Sequence, residues 1–235
     1  MLAQHVAAVQ NSVVFVLRFA TDQTGTVRVS PVGTACYVGC NTFVTANHLF
    51  ETPPLDPSEV VRVGFVPAGA VGTAVVFHTP ASVDYQSAQH DLAIMTVPGF
   101  GNERVPGVGP LPAVRVSSNP EPDGRSVFSY GFITPVFQFT SAGPIVRVAA
   151  RACASIIAGR YVHDPERYEL DSHTYPGESG APVFRANDHV AIGIVQASRL
   201  VQVPPPFGQV RGPTIASPLS PIAGELAKRG IPLTT

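Results

Sequence analysis

The chain spreads 21 glycines and 24 prolines over its 235 residues, and this constrains the fold more than any other feature. Each proline removes a backbone donor and each glycine weakens a helix interior, so a helical bundle is excluded and many short strands joined by tight turns are favoured. Apolar runs of strand length fit that reading: Ser12 to Phe19, Thr34 to Val38, Thr42 to Thr45, Val60 to Val66, Ala74 to His78, Leu92 to Val97, Ser126 to Gly131, Ile145 to Ala152 and Val190 to Val195. Turn chemistry lies between them, as in Gly39-Cys40-Asn41 and in the stretch from Asn119 to Gly124. Only Ala46 to Phe50 and Ser220 to Arg229 read as helical, the latter opened by Ser220-Pro221 and closed by Gly230. The class is all-β, and the spacing suits two Greek-key barrels or a large sandwich. The Pro- and Gly-rich segment from Pro98 to Pro112 divides the strands into two groups, residues 1–105 and 106–235.

With 45% hydrophobic and 13% charged residues the chain can bury a sizeable core. A net charge of −1 supplies no global positive field, so neither nucleic acid nor an anionic membrane is the expected partner. Lys228 is the only lysine, which removes a Schiff-base mechanism everywhere else. Cys36, Cys40 and Cys153 are too few for a disulfide framework or a thiolate zinc site, and a cytoplasmic or other reducing compartment is expected. The first twenty residues lack a basic start and are interrupted by His5, Gln10, Asn11 and Arg18, so they read as neither signal peptide nor membrane span.

Three short segments carry chemistry. Gly177-Glu178-Ser179-Gly180-Ala181-Pro182 sets a serine between glycines, where main-chain N–H groups can approach a substrate closely. Alone it would be a surface turn, and Ala181 at the fifth position breaks the nucleophile-elbow pattern of α/β-hydrolases. Thr45-Ala46-Asn47-His48 ends an apolar strand on a histidine, and Asp91-Leu92-Ala93-Ile94 puts an acid directly before a buried strand. Each has an ordinary structural explanation. Together they supply nucleophile, base and orienting carboxylate in the order His, Asp, Ser within an all-β composition. The other histidines carry less. His189 and Asp188 read as a hairpin turn, His163 and Asp164 as a loop, and His5 and His78 have no evident partner. Cys153 reads as a small core residue, and Pro204 to Pro206 as a rim loop.

The three segments resemble the TAAH, D-[IL]-A-L and GDSGGPV elements of trypsin-like, chymotrypsin-fold serine proteases, and Ile192-Gly193-Ile194-Val195-Gln196 resembles that family's substrate-binding strand. The resemblance implies two Greek-key β-barrels with the active site in the cleft between them and a short C-terminal helix. It implies a serine endopeptidase with a polypeptide substrate, no cofactor and no metal. Ser179 would attack the scissile carbonyl, His48 would act as base and then acid, Asp91 would orient the imidazole, and the N–H groups of Gly177 and Ser179 would form the oxyanion hole.

Leu49 stands where secreted digestive relatives carry a disulfide cysteine, Glu178 replaces the aspartate that pairs with a new N-terminus, and there is no IVGG-like activation sequence. The resemblance is therefore nearer to intracellular bacterial and viral members. By offset from Ser179, His173 and Thr174 are expected at the floor of the specificity pocket, with Gln196, Ala197 and Ser198 on one wall and Thr214, Ile215 and Ala216 on the other. No acid is expected there, which disfavours Arg or Lys at the cleaved position. His173 and Thr174 would either hydrogen-bond an acidic or amide side chain, or leave a pocket for small and aliphatic residues. The competing function is a catalytically silent scaffold that keeps the protease fold, against which the intact Ser179, His48 and Asp91 count.

Overall fold

The structure, a computed structural model, describes residues 2–51, 54–66, 75–76, 79–100, 104–105, 109–140, 143–161, 165–202 and 209–235, with the backbone alone at 75–76, 104–105, 109–110, 134–140, 143–148, 199–202 and 209–210. His78, His163, Asp164 and Pro204 to Pro206 lie outside the described residues, as does most of the expected Ala74 to His78 strand.

The first sheet takes β1 (Val13–Thr21), β2 (Val27–Gly39), β3 (Thr42–Thr45), β4 (Val60–Phe65), β5 (Val75–Val76), β6 (Ser82–Ser87) and β7 (Leu92–Thr96), in the order β5-β4-β1-β2-β3-β7-β6. The Ala81 N–H donates to the Val61 carbonyl at 2.8 Å, which joins the start of β6 to β4 and rolls the sheet into a barrel. A two-stranded ribbon follows, β8 (Arg104–Val105) with β9 (Gly109–Pro110). The second sheet takes β10 (Val116–Ser117), β11 (Ser126–Thr140), β12 (Gly143–Tyr161), β13 (Arg167–Leu170), β14 (Pro182–Arg185), β15 (Ala191–Gln202), β16 (Gln209–Pro218) and β17 (Leu233–Thr234). Its order is β14-β11-β12-β13-β16-β15-β10-β17, and an additional β14 to β15 pairing closes six strands into a ring. Closure removes the unpaired edges that an open sheet of this length would expose.

The helices are peripheral: α1 (Leu2–Val9), α2 (His48–Glu51) and α3 (Ala223–Lys228), the last continuing a 3₁₀ turn over Ser220–Ile222. Among the described residues no helix is long and apolar enough to cross a membrane. The α1 helix is a third helix beyond the two expected from sequence; its Leu2, Val6 and Val9, at i, i+4 and i+7, pack on the core, and it brings His5 onto the second barrel. There His5 stacks on Phe128 with ring centroids 5.3 Å apart, and its Nδ1 lies 2.9 Å from Nε2 of His189. Both histidines thus have a partner that sequence did not suggest.

One large core draws side chains from both barrels, and Phe15 meets Phe132 edge to face across them at 5.5 Å. A second core, containing Tyr168, Ile157, Val195 and Ala216, fills the second barrel. Burying side chains of this size contributes roughly 1.5 to 3 kcal/mol each. Cys36 is fully buried and its thiol is pushed up, well out of the nucleophilic range, by burial alone. Cys153 is half-exposed rather than in the core, and all three cysteines are free thiols.

Candidate active site

The β3 to β7 pairing sets one half of the site. Register Thr45↔Ala93 runs on into the Asn47 N–H donating to the Asp91 carbonyl at 3.3 Å, so the residues just beyond both strands meet. Leu49 and Phe50, both buried, anchor the α2 turn and leave His48 at the surface. The Asp91 carboxylate then holds His48 twice: Oδ1 accepts the His48 backbone N–H at 2.7 Å and Oδ2 lies 2.8 Å from Nδ1. With Nδ1 donating to a carboxylate, Nε2 is the free acceptor. Asp91 has φ of 49°, a left-handed conformation that Asp tolerates better than most residues.

From the second barrel, Gln196 Nε2 donates to the carbonyls of Asp91 at 2.9 Å and His90 at 3.2 Å, and Ser217 Oγ donates to the His90 carbonyl at 2.5 Å. The segment carrying Asp91 is therefore locked to the barrel that carries Ser179.

Ser179 sits on a tight loop in which Glu178 N–H donates to the Tyr175 carbonyl and Ala181 N–H to the Glu178 carbonyl. Thr34 on β2 stitches this loop to the first barrel: its N–H donates to the Ser179 carbonyl at 2.8 Å and its Oγ1 to the Gly177 carbonyl at 3.0 Å. The approach is so close that a Cβ on Gly180 would fall 2.0 Å from the Thr34 carbonyl oxygen and 2.3 Å from Thr45 Oγ1, at φ of +85°. Gly180→Ala is expected to cost several kcal/mol through clash and backbone strain together; thermal unfolding checks it, and a Tm within a degree or two of wild type would contradict the packing.

The N–H groups of Gly177 and Ser179 donate to no acceptor among the described residues. Ser179 Oγ donates to the Gln196 carbonyl at 2.8 Å, so in this conformation the hydroxyl is turned to the wall strand and not to the imidazole.

Glu178 is buried, and its charge is met by Arg151 on β12. Nη1 of Arg151 reaches both carboxylate oxygens at 3.1 Å, and the Tyr175 N–H adds a third bond at 2.7 Å. The same Nη1 donates to the His173 carbonyl at 2.9 Å, and the guanidinium lies over the Tyr175 ring, 4.5 Å from its centroid. This half-buried cation was not found from sequence; its only signal is that it is one of two arginines, with Arg147, in the run Ile145 to Ala152. Arg151→Met would leave a buried carboxylate unpaired, so a loss of about 3 kcal/mol is expected, read as a lower urea midpoint. An unchanged midpoint would remove Arg151 from any role in holding the loop.

A cleft of about 660 Å³ runs between the barrels, with His48 and Asp91 on one side and Ser179 on the other. Of the residues expected from sequence, Thr174, Gln196, Ala197, Ser198 and Ile215 line it, and the expected floor is tied to the wall strand where Thr174 Oγ1 meets Ser198 Oγ at 2.6 Å. Three do not line it. His173 is exposed and its Nδ1 donates to the Gly212 carbonyl at 2.9 Å, because chain offset fixes a position but not a side-chain direction. Thr214 and Ala216 are buried, Ala216 in the second core; strand alternation sends Ile215 to the cleft and both its neighbours inward. Arg211 on β16 lines the cleft and was not anticipated. Among the described residues no group of three or more His, Cys, Asp or Glu side chains converges on a possible metal position.

Two barrels with an imidazole and carboxylate facing a serine across their shared cleft define the class of chymotrypsin-fold serine hydrolases. The chain belongs to the trypsin-like peptidase family: the Trypsin-like peptidase domain matches residues 33–194, more than half its length, and makes it a serine-type endopeptidase. No curated protein sequence matches it significantly. Among solved structures, the chain is similar to the HtrA-type protease AlgW with a decapeptide, at TM-score 0.63 and 16% identity over 97% of this chain and 67% of that one. It is similar also to the Rv3671c protease from M. tuberculosis in its active form, at 0.58 and 20% over 98% and 86%. A third is Deg5, at 0.62 and 15% over 94% and 90%. At these identities the structural likeness establishes the two-barrel fold.

Proposed function

We propose that this peptidase cleaves polypeptides through Ser179, His48 and Asp91. The single observation that carries the reading is the double hold of Asp91 on His48, at 2.7 and 2.8 Å, in the cleft that Ser179 also lines. On substrate binding the Ser179 hydroxyl turns from the Gln196 carbonyl to Nε2 of His48. Oγ attacks the scissile carbonyl as Nε2 takes its proton, and the resulting imidazolium is stabilised by Asp91. The oxygen that becomes negative is met by the N–H groups of Gly177 and Ser179, each worth roughly 3 to 4 kcal/mol in the transition state. The imidazolium then protonates the leaving amine, and water, activated by the same imidazole, hydrolyses the acyl-enzyme. The decapeptide bound to AlgW supports a polypeptide as the substrate class.

The experiment is covalent labelling of native protein with a fluorophosphonate. The expected adduct is on Ser179, lost in His48→Ala; a folded protein that takes no label would instead favour the silent scaffold, for which the turned hydroxyl is the one supporting observation.

We also propose that activity needs neither an oxidant nor N-terminal cleavage, in keeping with a reducing compartment. The support is the free state of Cys36, Cys40 and Cys153 and the internal pairing of Glu178 with Arg151. Assay of the reduced, uncleaved chain should give full activity; strict dependence on cleavage would overturn this.

A further inference from the structure

Two guanidinium groups lie over the ring of Tyr175, Arg151 at 4.5 Å and Arg211 at 5.4 Å from its centroid. Their charges differ in standing. Arg151 is neutralised by the two oxygens of Glu178. Arg211 is exposed to the cleft, and among the described residues no carboxylate forms an ion pair with it; its Nη1 donates to the Thr174 carbonyl at 2.9 Å. A guanidinium has five donors in a fixed plane, so this one bond and the ring contact orient Arg211 while leaving further donors for a ligand.

The position of that charge matters because of what surrounds it. Thr174 lies on the loop that carries Ser179, and Ser198 follows on the strand whose Gln196 carbonyl holds the Ser179 hydroxyl. The substrate residue whose carbonyl faces Ser179 must send its side chain between these two walls. Among the described residues lining this cleft, Asp91 is engaged with His48, and Arg211 is the one cationic guanidinium. A lysine or arginine entering there would meet a like charge, and an apolar side chain would cover Arg211 without pairing it. A carboxylate would complete a charge-assisted hydrogen-bond pair with a cation already held in place.

We infer that Arg211 is the specificity-determining residue of this peptidase and that the enzyme cleaves after aspartate or glutamate, whose carboxylate pairs with the Arg211 guanidinium. The inference rests on the proposed role of Ser179, and it gives to Arg211 the acidic recognition that sequence offered, as one of two alternatives, to His173 and Thr174.

The test uses the full chain and peptides that differ only at the cleaved position, carrying Glu, Gln, Asp, Asn, Leu or Lys. The readout is the Glu to Gln ratio of kcat/KM, in which any general change in activity of a variant cancels. Wild type should favour Glu by about 10- to 100-fold, the scale of one partly exposed charge-assisted pair. The ratio should fall to near one in Arg211→Met, persist in part in Arg211→Lys, and shrink as salt is raised. A wild type that cuts after Gln or Leu as well as after Glu overturns the inference, as does a ratio that Arg211→Met leaves unchanged. If Arg211→Met does not fold, the wild-type ratio and Arg211→Lys still decide. Fluorophosphonate labelling separates the two levels: Ser179 labelled without an acidic preference refutes the specificity alone. No label and no cleavage of any peptide refutes the reading of Ser179 and this inference with it.

Discussion

Ser179→Ala is expected to lower kcat on peptide substrates by on the order of 10⁶ while leaving the fold and substrate affinity in place. The hydroxyl is the only side-chain nucleophile the proposed mechanism uses, and neither thiol of the first barrel can stand in for it. Cys36 is sealed in the core, and Cys40 sits near the Gly230 carbonyl, on the turn after β2. The structural cost of the substitution is small. Ser179 Oγ makes one hydrogen bond among the described residues, at 2.8 Å to the Gln196 carbonyl, and it borders an open cleft where water can replace it, so about 1 kcal/mol or less is lost. Residual activity of the order of 10³ to 10⁴ over water would come from the oxyanion donors and from binding. Purified variant retaining wild-type kcat would end the assignment of Ser179, and the urea midpoint measured alongside separates a chemical loss from unfolding.

The proposed catalytic segments are legible in the sequence because each sits at the end of a short apolar strand, Thr42–Thr45 or Leu92–Thr96, or between glycines that a close approach demands. Local sequence records such positions. The strands that close the barrels were harder to see. β6, Ser82–Ser87, alternates exposed and half-buried residues and has almost no apolar run; β13 is Arg167–Leu170, with two charges in four residues; β16 carries Gly212, Pro213 and Pro218. These strands are held by register with distant partners, as in Leu170↔Thr214, and such pairing leaves little trace in composition. The boundaries of β2, β11 and β12 were underestimated for the same reason, since all three run on past their apolar centres.

The substrate pocket shows the finer limit. Offset along the chain points to Thr174 as floor and Gln196–Ser198 as wall, all of which line the cleft, yet it misses that His173 turns to Gly212 and that Thr214 and Ala216 are buried. A one-residue step in a strand reverses the face, so residues adjacent in the chain need not both present side chains to the cleft. Arg151 and Arg211 acquire their meaning only when β12 and β16 bring them to Glu178 and to Tyr175.

Asp91→Asn tests the other half of the site, and a loss of roughly 10⁴ in kcat at neutral pH is expected. Asparagine keeps the size of the side chain and also tolerates the left-handed φ of 49°, so the turn before β7 should survive. Its carbonyl oxygen can still accept the His48 backbone N–H, as Oδ1 does now at 2.7 Å. The amide nitrogen then faces Nδ1 of His48, where Oδ2 stands now at 2.8 Å. A donor in that position requires Nδ1 to accept, which puts the imidazole proton on Nε2 and leaves no lone pair there to receive the proton of Ser179. The loss therefore falls on kcat, while KM, set by the walls around Thr174 and Ser198, should hold. Asp84 offers no substitute, because its carboxylate is engaged by Thr96 Oγ1 and by Arg229 Nη1, the latter at 3.0 Å. Steady-state kinetics of the variant decide the matter: a drop of less than tenfold would mean that the imidazole is oriented by something other than Asp91, and a rise in KM without a fall in kcat would mean that Asp91 shapes binding and not proton transfer.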